Sequence, residues 1–186
     1  MNALIIGGSR GIGAATAKLL ASSGWLVIPY GSNEFDVVVK TASDRYRLLS
    51  DADRVGKYDA LIYSAGSIMA RGIYQFQFAL TFYMLIEEYG ARILNDGAVI
   101  VSVSSVAAGR PAKQNPDYAA AKAALESYAL TLMYSDLAKQ RNWEVRVIRF
   151  DLVQTDMYKQ LIDPVGKVIS ADEAAEKIVG IINDSY

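Results

Sequence analysis

Ala3-Leu4-Ile5-Ile6-Gly7-Gly8-Ser9-Arg10-Gly11-Ile12-Gly13 decides the fold. A short continuous apolar run breaks into glycines. A helical pattern then runs through Ala14, Ala17, Leu19 and Leu20 to Gly24, a plausible stop. Strand, glycine turn and helix opening, in that order, are the context in which a loop binds a phosphate. Glycines permit the turn and let the backbone approach the ligand. The helix N-terminus supplies free N–H groups and a partial positive charge. The spacing is Gly-x-x-x-Gly-x-Gly, carried by Gly7, Gly11 and Gly13. Ser9 inside it adds a hydroxyl that a plain turn does not need.

Outward from this loop the chain alternates. Trp25 to Tyr30 reads as a second strand ending in Gly31-Ser32-Asn33, and Val37-Val38-Val39 as a short third one reached by a cramped connection. A polar helical stretch from Ser43 to Arg54 ends at Gly56. Ala60-Leu61-Ile62-Tyr63 is a fourth strand running into Ser64-Ala65-Gly66, and the segment 74–90 is a helix apolar almost all round. Asn95-Asp96-Gly97 reads as a turn, and 98–103 as a fifth strand ending at Ser104-Ser105. A helix capped by Asn115 with Pro116 at its first position runs to about Arg141. Glu144 to Phe150 is a sixth strand. Ser170-Ala171-Asp172-Glu173 is a capping box that opens a last helix to about Asn183. Strands alternating with helices predict an α/β fold. It is a Rossmann-like, doubly wound parallel sheet of about six strands, order 3-2-1-4-5-6, with helices on both faces in three αβα layers. The 186 residues suffice for one domain, 1–186, and no repeat or linker divides them. Ligands in such folds bind at the carboxyl ends of the strands.

Composition narrows the chemistry. Apolar residues make up 52% and charged residues 21%, the balance of a globular chain. The formal charge of −1 gives no reason to expect nucleic acid or an anionic membrane surface. The run from Phe76 to Ile86 is too short to span a bilayer. The start carries no basic leader, and the chain has no cysteine. Both suit a cytoplasmic protein. With no histidine there is no Ser-His-Asp triad, no Cys-His pair and no commonest metal ligand. An acid or base must then be a carboxylate, a lysine or a tyrosine.

Asp117-Tyr118-Ala119-Ala120-Ala121-Lys122 offers such a group. Positions four apart share a helix face, so Tyr118 and Lys122 stand side by side. A cation there favours the phenolate and lowers a pKa that is normally about 10. Taken alone, such a pair is more often structural than catalytic. The cofactor is read from two positions. An acid that would grip ribose hydroxyls is missing from Tyr30 to Asn33, and Arg10 sits inside the glycine loop. Together they favour a 2′-phosphate, hence NADP(H) over NAD(H). Gly31 and Ser32 lie at that ribose end.

The combination resembles the short-chain dehydrogenase/reductase family over nearly the whole chain, in a short variant. Gly7, Gly11 and Gly13 match its cofactor loop, with Ser9, Arg10 and Ile12 inside it. Ser64-Ala65-Gly66 matches the end of its Asn-Asn-Ala-Gly motif, with Tyr63 in place of the first Asn. Ser105, Tyr118 and Lys122 match its catalytic Ser, Tyr and Lys in type and spacing. The resemblance implies hydride transfer between a nicotinamide and a carbonyl or alcohol carbon. Tyr118 would exchange the proton, Ser105 would orient the substrate oxygen, and Lys122 would lower the Tyr118 pKa and hold the nicotinamide ribose. It puts Gln77 where the family has a fourth catalytic residue, an Asn. It gives the loop with Val153 and Thr155 to the nicotinamide, although Phe150-Asp151 replaces the family's Pro-Gly. Lys40 replaces an Asp near the adenine, and 157–167 is all that remains of a lid.

Ser67, Met69, Ala107, Pro111, Met157 and Tyr158 line the expected substrate pocket, a mostly apolar set that points to a small, apolar carbonyl compound. The helices at 74–90 and 116–141 suit a homodimer or homotetramer contact. Gln77, Lys40 and Phe150-Asp151 keep open a non-catalytic NADP(H) sensor or assembly subunit. Epimerisation or dehydration of a nucleotide-linked sugar is a lesser alternative.

Overall fold

The computed structural model describes residues 1–31, 42–68, 70, 72–110, 114–161 and 166–186, with 42–46 as backbone only. Five strands form one parallel sheet: β1 (Asn2–Ile6), β2 (Leu26–Tyr30), β3 (Tyr58–Tyr63), β4 (Leu94–Ser105) and β5 (Glu144–Phe150), in the order β2-β1-β3-β4-β5. The helices between them are α1 (Gly11–Ser22), α2 (Ala42–Val55), α3 (Ile73–Met84), α4 (Ala91–Ile93), α5 (Pro116–Met133) and α6 (Asp136–Gln140), and α7 (Ala171–Asn183) closes the chain. This is the expected Rossmann-like α/β class. Among the described residues the main sheet has five strands rather than about six; the expected third strand, Val37–Val39, lies outside them.

The inner strands read as continuous apolar runs because both of their faces are covered. Alternate residues turn to opposite sides. Leu4, Leu61 and Ile100 pack with Phe82 and Leu85 and with Leu125 and Ala129 of α5. Ala3, Ile62 and Val101 pack with Leu20 of α1 and with Ile178 and Ile182 of α7. From β1 the chain goes first to β2 on one side and later to β3 on the other. The loops after β1 and β3 therefore part at the sheet's switch point, where open α/β sheets bind their ligands.

Local departures from expectation have local causes. Asn95-Asp96-Gly97 is no turn between elements but lies inside the twelve-residue β4. There Asn95 donates to the Asp59 carboxylate at 2.8 Å, and the Gly97 N–H to the Arg141 carbonyl at 2.9 Å. The helix expected to reach Arg141 stops at Met133, and Ser135 caps a new one, its Oγ accepting from the Ala138 N–H at 3.1 Å. Asn115 precedes Pro116 as expected, but its side chain makes no capping bond. α3 widens into a π-turn at Leu85–Gly90 before α4. The capping box is present, with Ser170 and Glu173 bonding reciprocally at 3.0 Å and 2.7 Å. Two three-residue strands that the sequence did not announce, β6 (Leu152–Gln154) and β7 (Val168–Ser170), pair in parallel beside α7.

Candidate active site

The loop after β1 is built on one carbonyl. The N–H groups of Gly7 and Gly8 both donate to the Tyr30 carbonyl at 2.8 Å, so the end of β2 holds the glycine turn. Gly7 sits at φ +85°, and a Cβ there would lie 2.7 Å from the Ala65 backbone N–H. A Cβ on Gly13 would lie 2.1 Å from the Gly7 carbonyl oxygen, so α1 starts hard against the turn. α1 has Arg10 at its N-cap and no side-chain cap bond. The first turn of α1 thus keeps backbone donors that no side-chain cap satisfies, beside a backbone that a ligand can approach closely.

Around this cradle lies a cavity of about 670 Å³. Gly7, Ser9, Arg10, Gly11, Ile12 and Gly31 line it, as do Ser64, Ala65 and Gly66, the set Ser105, Tyr118 and Lys122, and Val153 and Thr155. Gly13 lies behind the cradle, against Gly7. Ser32 lies outside the described residues, as do Lys40, Met69 and Pro111. Ser9 packs on Gly31, where a Cβ would meet its Oγ at 2.3 Å, and the Thr155 methyl group lies 3.1 Å from a Cβ built on Gly11. Two loops distant in sequence thus meet over the glycine turn.

The Ser-Tyr-Lys set converges. Ser105 ends β4, and its Oγ accepts from the Ala107 N–H at 3.2 Å. Tyr118 lies in the first turn of α5, near enough to Ser105 for that hydroxyl to favour its phenolate. The expected electrostatics of the pair does not hold. Burial pushes the Tyr118 phenol above its ordinary pKa, and the Ser105 hydroxyl pulls only partly the other way. Lys122 Nζ stands 6.0 Å from the centroid of the Tyr118 ring and donates instead to the Val103 carbonyl at 2.9 Å. Burial lowers the Lys122 pKa to about 8.

Gln77 is not brought into the cavity; its neighbour Phe78 is. The buried glutamine of α3 is Gln75, whose Nε2 donates to the carbonyls of Ser67 at 2.6 Å and Ala70 at 2.8 Å. Two residues, about half a helical turn, separate a side chain that faces the loop from one that does not, and counting back from Ser105 cannot tell them apart. Tyr63 is fully buried and donates to the Phe78 carbonyl at 2.6 Å, which ties α3 to β3. Asp151 lines the cavity and takes Arg110 as its ion-pair partner at 2.8 Å. No sequence signal marked that pair. Ser67, Ala107, Met157 and Tyr158 line the cavity as expected, together with Ile68 and Leu161. Among the described residues no cluster of His, Cys, Asp and Glu could hold a metal ion, and no helix is long and apolar enough to cross a membrane.

The sequence pattern of the short chain dehydrogenases matches residues 37–165. The chain belongs to the short-chain dehydrogenase/reductase family of oxidoreductases. Solved structures agree in fold. The 3-alpha-hydroxysteroid dehydrogenase of Pseudomonas sp. B-0831, complexed with NADH, superimposes with a TM-score of 0.80 at 21% identity, over 100% of this chain and 92% of its own. The 3-ketoacyl-(acyl-carrier-protein) reductase of Brucella melitensis, complexed with NADH, gives 0.78 at 19%, over 97% and 90%. A small-chain dehydrogenase in complex with NADPH gives 0.73 at 26%, over 100% and 92%. No curated protein matches the sequence. A nicotinamide cofactor fits the cavity: Gly7 and Gly11 leave the backbone of the turn open to it, and the first turn of α1 keeps N–H groups that no side-chain cap satisfies.

Proposed function

We propose that the protein is an NADP(H)-dependent oxidoreductase that interconverts a carbonyl and an alcohol on a small, largely apolar substrate. The observation that carries the reading is the meeting of Ser105, Tyr118 and Lys122 with the glycine cradle around one cavity. When bound, the cofactor supplies the hydride. Gly7, Gly11 and Ile12 would cradle its pyrophosphate, with Gly13 letting α1 start against the turn; Gly31 would border its adenosine ribose and Arg10 would face its 2′-phosphate. Ser64, Ala65, Gly66, Val153 and Thr155 would enclose the nicotinamide half. NAD(H) is the weaker ligand.

Ser105 donates to the substrate oxygen and orients it. Tyr118 gives its proton to that oxygen as negative charge develops there. A phenol kept protonated by burial suits this acid role in reduction, and in the reverse direction the same oxygen would take the proton back. Lys122, pinned by Val103, presents its ammonium to the nicotinamide ribose. Gln77 has no part in this scheme.

A second reading keeps the cofactor and drops the turnover: an NADP(H)-binding sensor or assembly subunit. The placement of Gln77 outside the cavity and of Asp151 within it favours this reading. One experiment separates the two. NADPH is titrated by fluorescence, and its absorbance is then followed with a panel of small aldehydes and ketones. Binding with consumption supports the reductase; binding without consumption across the panel supports the sensor.

The protein is proposed to act as one domain, in the cytoplasm, as a homodimer or homotetramer. Ile73, Tyr74, Phe76, Leu80 and Tyr83 of α3 and Leu130 of α5 form an exposed apolar face on two helices that pack side by side.

A further inference from the structure

Tyr118, Lys122 and Glu126 follow at intervals of four on α5 and share one face of the helix. Glu126 is only 6% exposed, and apart from Lys122 the other buried residues of α5 are Ala and Leu. A carboxylate so placed is costly unless it is paired. Arg149 of β5 pairs it with a full fork. Nε donates to the two carboxylate oxygens at 3.0 Å and 2.9 Å, and Nη2 donates to Oε1 as well. These bonds hold the Glu126 carboxyl below its ordinary range, against the opposing effect of burial.

Arg149 also stands opposite Ser104 in the β4–β5 register, one residue before Ser105. A Cβ on Gly109 would lie 3.7 Å from its Nη1, so the guanidinium runs along the single turn, Val106–Gly109, that continues from Ser105. One ion pair therefore touches the helix that carries Tyr118 and Lys122, the strand beside Ser105 and the turn after it. Arg149 itself is half exposed, its side chain 52% accessible, so the pair is partly solvated and adds little to stability by charge alone. What the fork adds is a fixed direction and register.

We propose that Glu126 and Arg149 form a positioning clamp that sets the register of α5 against β4 and β5, and through it the placement of Tyr118 against Ser105. The clamp deepens the reductase reading and rests on it for its kinetic consequence. Its test uses the full chain with Glu126→Gln, Arg149→Met, the double variant, and Arg149→Lys, which keeps the charge but loses the fork. Expected are NADPH affinities within about twofold of the wild type and a kcat about tenfold lower with KM little changed. The double variant should be no worse than either single one. Arg149→Lys should fall between, and should also serve if a charge-removing variant does not fold. The Tyr118 Cζ resonance, assigned by its loss in Tyr118→Phe, should move in Glu126→Gln at neutral pH.

A folded Glu126→Gln protein with wild-type kcat and an unmoved Tyr118 resonance overturns the clamp. If the wild type binds NADPH but turns over no substrate, the reductase reading has failed. The resonance then decides the clamp alone: movement supports it and no movement overturns it.

Discussion

Lys122 donates through Nζ to the Val103 carbonyl at 2.9 Å, from a site so enclosed that its pKa falls from 10.5 to about 8. The folded state resists protonating this lysine and the unfolded chain does not. The cost to stability is therefore fully present below pH 8 and is relieved as the pH rises from about 8 to 10.5. At about 1.4 kcal/mol per pKa unit the cost is on the order of 3 kcal/mol at neutral pH. Lys122→Met should melt at a higher temperature than the wild type at pH 7, by less than this cost implies because the Val103 carbonyl loses its donor. The gain should shrink as the pH approaches 10. Thermal unfolding across that range checks it, and a gain that is independent of pH contradicts the assignment.

The glycine cradle has no room. Gly13→Ala puts a methyl group 2.1 Å from the Gly7 carbonyl oxygen, and the obstacle is backbone rather than a side chain that could turn away. The expected loss is about 1–3 kcal/mol of stability by overpacking, together with a large loss of NADPH affinity because the turn itself must shift. Gly24→Ala is the control. It has a positive φ, +85°, which Gly13 does not, but nothing lies within 4 Å of its Cβ, so it should cost stability with little effect on cofactor affinity. Chemical denaturation and NADPH titration of both proteins separate the two effects.

Arg10 is the residue expected to distinguish the two cofactors. Its charge reaches Asp156, on the loop after β6, and helps to lower that carboxyl after the larger effect of Lys159. Arg10→Ala should weaken NADPH binding by about tenfold to a hundredfold, the worth of a charge-assisted contact. NADH binding should change little. Equal weakening of both cofactors would show that Arg10 supports the loop rather than the 2′-phosphate.

The apolar face of α3 gives an assembly prediction. Leu80 is 50% exposed and Tyr83 47%, more apolar surface than a monomer gains from showing. Leu80→Glu or Tyr83→Glu should lower the mass of the species seen by sedimentation, with the fold kept by circular dichroism. A wild type that sediments as a monomer at all concentrations refutes the assembly.

The features legible in the sequence were those with a local physical signature. The glycine turn, the apolar strands around it, the capping box at Ser170 and the four-residue spacing of Tyr118 and Lys122 each follow from a few neighbouring residues. What was not legible depends on distant partners. β6 and β7 are three residues each, too short to show a period, and exist because they find one another beside α7. Asn95 to Gly97 has turn composition, yet Asp59 and Arg141 draw it into β4. Spacing put an ammonium beside a phenol, but the Val103 carbonyl takes the ammonium and burial, not charge, governs the phenol. Spacing likewise could not choose between Gln75 and Gln77 on one helix.

The most direct measurement is NADPH consumption by the wild type and by Tyr118→Phe on the best carbonyl substrate of the panel, with NADPH affinity measured on both proteins. Removing one hydroxyl leaves the cradle intact, so affinity should hold within about twofold while kcat falls by about a hundredfold or more, the usual worth of a positioned proton donor. A Tyr118→Phe protein that keeps the full wild-type rate would contradict the account.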